Sequence, residues 1–458
     1  MRKLLTFVAA TFISGTLLAG GLVTNNNQSA MFTRLQNRNA STGIDAVYYN
    51  PAGLTKLGDG FYASINNQTI SQTKTVGNNY TFLTGTPVDY VGDVSAPVYP
   101  GVYVAYKTGK LAFSAGFNPV GGGGGAKYAK GLPSFEMGIA NLKPLLTSMG
   151  LATTQYTADI NFEGTSVYFG YQANVSYEIN DMISAAVGGR YISAKNTYTG
   201  YIKNIQINPL HPLINPTAAL ISATTFFTTI SQPTYAAMTA DREVDVEQTG
   251  TGFTPILSVN VTPSEKLNIA VKYEFQTTLN LTTKVNNSKS GGIFVDGSKV
   301  VADMPAILTL GVEFKPMEKL MIAGSFNTYF DKNVDYDGSE SVNTVMIDKN
   351  FLEYGLGVEY SLSEKLRASL GWLATSTGVN QAYQNDQRYS TNTNTLGAGI
   401  GYRVSPKIDI NLGGQYTFYA EGSKDFAPVA GTYLAPFTET YNKKTWLIGI
   451  GADFYFGK

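Results

Sequence analysis

The chain has 458 residues, no cysteine, and charge on only 14% of its positions, against roughly a quarter in ordinary soluble domains. Lys plus Arg and Asp plus Glu each total 33, so the formal charge is zero and the basic surplus a nucleic-acid partner demands is missing. With no thiol and a single histidine, His211, disulfides, thiolate chemistry and multi-histidine metal centres are excluded.

Residues 1–21 read as a secretory signal, with Arg2 and Lys3 ahead of an apolar Leu4–Leu18 run and small residues at Ala19, Gly20 and Gly21. Cleavage is expected near Gly21. No later stretch of 18 or more apolar residues follows, so no transmembrane helix is expected in the mature chain. An exported chain this poor in charge is then either an extracellular β protein or a transmembrane β-barrel, whose strands score near neutral in hydropathy.

Residues 22–59 do not alternate. Asn50 suits a helix N-cap and Pro51 a first helical position, which predicts a short helix over Ala52–Leu57. The segment is too short for a domain. Its apolar residues, among them Phe32, Leu35, Ile44, Val47, Tyr48, Tyr49 and Leu54, still need burial. A plug inside a barrel lumen satisfies both.

From residue 60 onward the pattern has period two. In the last strand Trp446, Ile448, Ile450, Phe454 and Phe456 share one face, while Gly449, Gly451 and Asp453 share the other. The same alternation marks 267–276, 352–360 and 408–418, and assigns the first face to lipid and the second to the lumen. Fourteen strands are expected, at about 60–76, 97–107, 110–119, 160–178, 182–203, 242–261, 265–284, 303–315, 319–331, 345–361, 365–375, 393–405, 407–419 and 442–456. Short turns alternate with long loops, and three of the turns end in Glu-Lys-Leu, at 265–267, 318–320 and 364–366. Short turns at one rim and long loops at the other form the outer-membrane pattern. The fold class is therefore all-β: a transmembrane antiparallel β-barrel at 60–458 with an N-terminal plug at 22–59 and its longest loops at 119–159 and 204–241.

Three motifs then identify a resemblance. They are Asn27-Gln-Ser-Ala30, Asp45-Ala-Val-Tyr-Tyr-Asn-Pro-Ala-Gly-Leu54 and Asp303-Met-Pro-Ala-Ile-Leu-Thr-Leu-Gly-Val-Glu-Phe-Lys-Pro316. Together and in this order the chain resembles the FadL/TodX-type outer-membrane transporters, over essentially its mature length. The resemblance implies uptake of long-chain fatty acids or other hydrophobic compounds. It implies capture by outer loops, gating by a hatch and sideways exit beside a kinked third strand. The hatch residues it points to are Asn50, Pro51, Ala52 and Gly53.

The residues offer candidates for each step. An apolar landing site is expected in loop 204–241, at Leu213, Ile214, Leu220, Ile221, Phe226, Phe227 and Met238, with Thr217–Ile230 partly helical. A second apolar stretch runs from Phe135 to Leu151. The alternative is that these loops pack on each other as a lid. Strand three ends Phe117-Asn118-Pro119 before the Gly121–Gly125 run, with Gly121 and Gly122 first. Proline and glycine weaken a ladder, so this is either a wall opening or the start of a loop. Arg34, Arg38 and Arg190 are candidate partners for a ligand carboxylate. Ion pairs with inward acids such as Glu274, Glu353, Glu359 and Asp453 are their alternative. No nucleophile motif surrounds His211, and Asp331–Gly338 departs from a calcium loop at Tyr336 and Val342. No catalytic residue, metal or cofactor is expected. The expected partners are a hydrophobic small molecule and outer-membrane lipid, with no nucleic acid, and the chain is expected to be a monomer. A diffusion porin for polar solutes and a structural or adhesive surface barrel are the competing readings.

Overall fold

Alternation of apolar and polar positions over 10 to 25 residues leaves one sheet face for lipid and one for the interior. In the computed structural model the sheet closes on itself. Residues 22–287, 289, 294–334, 345–429 and 432–457 are described; the expected signal at 1–21 lies outside them. The strands are β1 (Gly60–Asn78), β2 (Val88–Thr108), β3 (Leu111–Tyr128), β4 (Tyr156–Glu178), β5 (Ile183–Ile207), β6 (Ile221–Ser222), β7 (Arg242–Ser264), β8 (Leu267–Glu274) and β9 (Asn280–Val285). They continue as β10 (Lys299–Val301), β11 (Ile307–Met317), β12 (Leu320–Tyr329), β13 (Phe351–Ser361), β14 (Leu366–Ser376), β15 (Thr393–Ser405), β16 (Ile408–Tyr419), β17 (Gly422–Phe426) and β18 (Phe437–Gly457). β8 with β9, and β10 with β11, are each one interrupted wall strand, and β6 and β17 are short loop strands. Among the described residues this makes fourteen antiparallel wall strands. β18 pairs with β1 from Gly60↔Gly457 to Asn78↔Glu439, which closes the barrel.

The outward face meets lipid. Leu356, Leu370, Ile448 and Ile450 are exposed there. Phe61, Tyr106, Phe113, Tyr402 and Phe456 ring the short-turn rim, and Tyr171, Tyr191, Phe253, Phe418 and Trp446 ring the other. Such aromatic belts mark the two interfaces of a bilayer. The barrel is uneven in height. β4 and β5 have 23 and 25 residues, whereas β11 to β14 have 10 or 11. A tilted crossing needs about 9–11, so the taller strands stand well above the outer interface.

That extra height moves several loop boundaries from their expected places. β2 begins at Val88, so the connection expected near 77–96 shrinks to residues 79–87. β3 does not end at Pro119; it continues through the glycines to Tyr128, and the long loop is 129–155. Likewise β5 reaches Ile207 and β18 starts at Phe437. The loops carry α3 (Pro133–Ala140), α4 (Leu142–Ser148), α5 (Ala223–Thr229) and α6 (Pro233–Thr239), preceded in the hatch by α1 (Ala30–Arg34) and α2 (Ala46–Tyr49). The part of the calcium-like stretch at 335–344 lies outside the described residues.

Residues 22–55 are almost wholly buried inside the barrel. The hatch has little regular structure, so its backbone carbonyls need partners, and inward polar side chains of the wall supply them. Gln172 donates to the Val47 carbonyl at 2.7 Å, Ser176 to Pro51 at 2.7 Å, Ser184 to Ala52 at 2.8 Å, Asn268 to Ala40 at 2.8 Å and Gln415 to Phe32 at 2.9 Å. Wall glycines make the room: a Cβ on Gly413 would lie 2.6 Å from the Arg34 nitrogen, and one on Gly451 2.9 Å from the Ala30 Cβ. The helix expected over Ala52–Leu57 is instead a 3₁₀ turn at Pro51–Lys56. Asn50 does not cap it. Its side chain donates to the Ser41 carbonyl at 3.0 Å and to Asn260 Oδ1 at 2.7 Å, tying the hatch to itself and to β7.

Candidate functional site

Three places carry chemistry: a groove among the outer loops, a break in the wall between β2 and β3, and the charged hatch.

The groove lies between α3, α4 and α6. Phe135, Ile139, Leu142 and Leu145 form one side, Tyr235 and Met238 the other, and Ile202, Ile205 and Leu434 the floor. Among the described lining residues only Arg242 is charged. A cleft of this polarity suits an apolar small molecule. Of the seven capture residues expected in loop 204–241, Met238 lines it. Phe226 and Phe227 are instead sealed inside the loop cluster, edge-on to each other with Phe227 stacked on Tyr235, and Ile214 and Ile221 pack at its edge. Leu220 is exposed on the surface, and Leu213 is 90% exposed on a turn closed by His211 Nδ1. The loops therefore form a lid and a groove at once. The second apolar stretch, over α3 and α4, supplies more of the groove than the first.

At the wall break, β2 pairs with β3 from Val102↔Phe117 to Thr108↔Leu111 and again from Gly92↔Tyr128 to Val94↔Ala126. The span between them is unpaired. On the far side β3 keeps its pairing to β4 only through register shifts at Pro119/Gly121 and Gly121/Gly124. Pro119 cannot donate to the ladder. Gly122 and Gly124 have φ of +88° and +68°, which turns the strand inward in a conformation that suits glycine. The displaced backbone pairs with the start of the hatch. Asn25 N donates to the Val120 carbonyl at 2.9 Å, Gly122 N to Val23 at 3.2 Å and the Asn25 side chain to the Gly122 carbonyl at 3.1 Å. Asn118 donates to Gln28 Oε1 at 2.5 Å. The Pro119 carbonyl accepts from Tyr99 Oη at 2.7 Å and Gln28 Nε2 at 2.9 Å. Phe117 stacks on Phe169 at 5.5 Å. Asn118, Pro119, Gly121 and Gly122 thus come together with the hatch, with Gln28 as a link, while Phe117 stays on the wall. Sequence reasoning marked Gln28 only as part of a motif and missed Tyr99.

All three candidate arginines meet carboxylates of the chain itself. Arg34 bonds Glu359, Ser369 at 2.8 Å and Asn411 at 3.0 Å. Arg38 grips Asp45 at 2.9 and 3.0 Å, with Glu313 at 3.6 Å. Arg190 makes a two-point contact with Glu274 at 2.6 and 3.0 Å and holds Gln172. Burial alone would push the Asp45 carboxyl up, but the Arg38 guanidinium and the hydroxyls of Ser41 and Ser29 hold it below the usual carboxylate range. The ion-pair alternative is therefore what the structure contains at these three sites.

Residues 222–403 match the family model for the outer membrane protein β-barrel domain. A FadL homologue of Pseudomonas aeruginosa superposes with a TM-score of 0.65 at 12% identity, covering 95% of this chain and all of that one. The toluene transporter TodX of Pseudomonas putida gives 0.54 at 14%, covering 91% and 95%. The toluene transporter TbuX of Ralstonia pickettii gives 0.53 at 15%, covering 90% and 94%. No curated protein sequence matches the chain. The chain has the fold of the FadL-type β-barrels. At such identities the likeness is one of architecture, and the groove, the hatch contacts and the wall break above are properties of these residues.

Proposed function

We propose that the protein takes up hydrophobic compounds, long-chain fatty acids among them, across the outer membrane. The observation that carries this reading is the unpaired span between β2 and β3, closed from inside by Val23, Asn25 and Gln28 of the hatch. A ligand gathered in the groove descends along the lumen, and withdrawal of the hatch start frees the break so that the ligand leaves sideways into lipid. An apolar solute gains about 25 cal/mol per Å² by staying out of water, which favours a lateral exit over a drop into the periplasm. Asn50, Pro51 and Ala52 anchor the hatch to β4, β5 and β7 through Ser176, Ser184, Ser258 and Asn260, and Gly53 packs against Asn50 and Ser41 within the hatch, so the four set how far it can move.

Uptake of a labelled fatty acid and of labelled toluene into cells producing the protein tests this reading. A Cβ on Gly53 would lie 2.6 Å from the Ser41 carbonyl, so Gly53→Leu is expected to dislodge the anchor and cut uptake several-fold while the barrel still folds. Uptake no greater than in cells lacking the protein would overturn the proposal, and unchanged uptake by a folded Gly53→Leu variant would remove the hatch from it.

A further inference from the structure

The segment Asp303-Met304-Pro305-Ala306 lies at a second irregularity of the wall, where β8 gives way to β9 and β10 to β11. The ladder stops at Ile256↔Glu274 and Ile307↔Glu274 and resumes at Thr249↔Thr282 and Val301↔Asn280. Side chains of a wall strand alternate between its two faces, but residues 303–307 are buried without a break, so the chain here has stepped off the wall into the lumen. The step is firmly built. Met304 and Thr277 exchange backbone hydrogen bonds at 3.0 Å, and Ala302 N donates to the Leu279 carbonyl at 2.8 Å. Asp303 accepts from Leu279 N at 2.7 Å and from Gln276 Nε2 at 3.1 Å. Pro305 has no N–H to leave unpaired. β7 makes room for the step, since a Cβ on Gly252 would lie 2.5 Å from Thr277 Cγ2.

This step carries Met304 to the wall break. In the sheet β4, β5, β7 and β8 stand between β3 and β11, yet a Cβ on Gly121 would lie 3.3 Å from Met304 Cε and 2.6 Å from the Val23 carbonyl. Met304 and Leu279 share one buried apolar cluster with Leu22 and Val23 of the hatch and Val120 and Tyr168 of the wall. Gly121 is thus covered from the lumen by two groups that are held differently. Val23 belongs to the hatch, whose withdrawal frees the break in the uptake reading. Met304 is fixed through its backbone to the wall and keeps only its side chain free. It therefore stays in front of the break when the hatch start leaves. An unbranched thioether with three rotatable bonds adapts its shape to what it packs against, and it folds aside for a slender guest more readily than for a broad one.

We propose that Met304 is a specificity-determining residue of the exit: its bulk sets the cross-section of the compound that passes the wall break and favours a linear chain over a fused-ring hydrocarbon. The proposal rests on the uptake reading and names the substrate class within it.

Uptake of labelled dodecanoate and of labelled phenanthrene by cells producing the protein, with uptake by cells lacking it subtracted, tests the proposal. The wild type is expected to favour dodecanoate. Met304→Ala raises the phenanthrene-to-dodecanoate ratio by about fivefold or more, the scale on which overpacking of a tight site is felt. Met304→Phe lowers that ratio, and Met304→Leu, of similar volume, keeps it near the wild-type value. Heat-modifiable gel migration reports folding, and Met304→Val supplies a smaller truncation if the Ala variant does not fold. A residue that only packs the hatch in place would move both uptake rates together. A ratio that is the same in the folded wild type, truncated and Phe variants therefore overturns the sieve and leaves uptake standing. Uptake of neither compound by the wild type overturns the uptake reading with it.

Discussion

Arg38 and Asp45 are seven residues apart in the hatch and close on each other inside the lumen, with Ser41 donating to the same carboxylate at 2.5 Å and Ser29 at 3.2 Å. Breaking such a pair strands a buried charge, at a cost of about 3–5 kcal/mol. Asp45→Asn is therefore expected to loosen residues 22–59 without unfolding the wall, seen as faster amide exchange or protease cleavage confined to the hatch. The same residue sets a pH response. Its carboxyl titrates lower in the docked hatch than in water, so its stabilisation is complete above about pH 4 and is lost as pH falls further through the docked value. Hatch protection should fall below about pH 4, whereas the Asn variant should be weaker at neutral pH and lack that fall. A wild-type hatch equally protected at pH 3 would contradict this. Residue types alone identified Arg34, Arg38 and Arg190 as cations in a lumen, but not their partners: Glu359 lies 325 positions from Arg34.

At the scale of elements, period-two alternation located every wall strand inside the membrane and the Glu-Lys-Leu turns placed their lower ends, because there one face must be apolar and the other polar. Above the outer belt both faces meet polar surroundings, and the signal disappears. On β1 the outward positions pass from Phe61 and Ile65 to Asn67, Thr69, Ser71 and Thr73; the strand expected there at 60–76 still nearly matches, whereas the upper parts of β2, at 88–96, and of β3, at 120–128, read as loop. The glycines after Pro119 misled for another reason: composition reports a weak ladder, not that the hatch would supply substitute hydrogen bonds there. The tall strands matter because they carry the loops whose helices α3, α4 and α6 form the groove. Leu145 on α4 is partly buried at its lining. Leu145→Asp would place an unpaired carboxylate against a captured apolar tail, a contact worth about 1.5–3 kcal/mol when fully buried. The initial uptake rate at low substrate should fall by about tenfold, with little change once substrate is saturating. An equal loss at both concentrations would place Leu145 on the translocation path instead of at capture.

For the molecule as a whole, the strand number decides why a hatch is needed. Barrel diameter grows with strand count; about eight strands can be filled by their own side chains, while 16 to 18 leave an aqueous channel. Fourteen lies near the open end of that range. The inward face here is polar and glycine-rich, with Gly413, Gly449 and Gly451 packed directly against hatch atoms, so the hatch and not the wall fills the lumen. The zero net charge has the same origin: Arg34–Glu359, Arg38–Asp45, Arg190–Glu274 and Arg367–Asp409 cancel inside the barrel, and the lipid-facing rows carry almost none. Planar-bilayer recordings should separate the competing functions on this basis. The intact protein is expected to be nearly silent, because a hydrogen-bonded hatch leaves ions no wet path. Removing residues 22–59 while keeping residues 1–21 and the wall should raise the steady conductance by roughly tenfold or more, towards that of an open porin. A deletion variant that stays silent would mean that the outer lid, with Phe226 and Phe227 at its centre, seals the lumen unaided. An intact protein that conducts as strongly as the deletion would mean that the hatch does not seal, and the barrel would then be a porin for polar solutes.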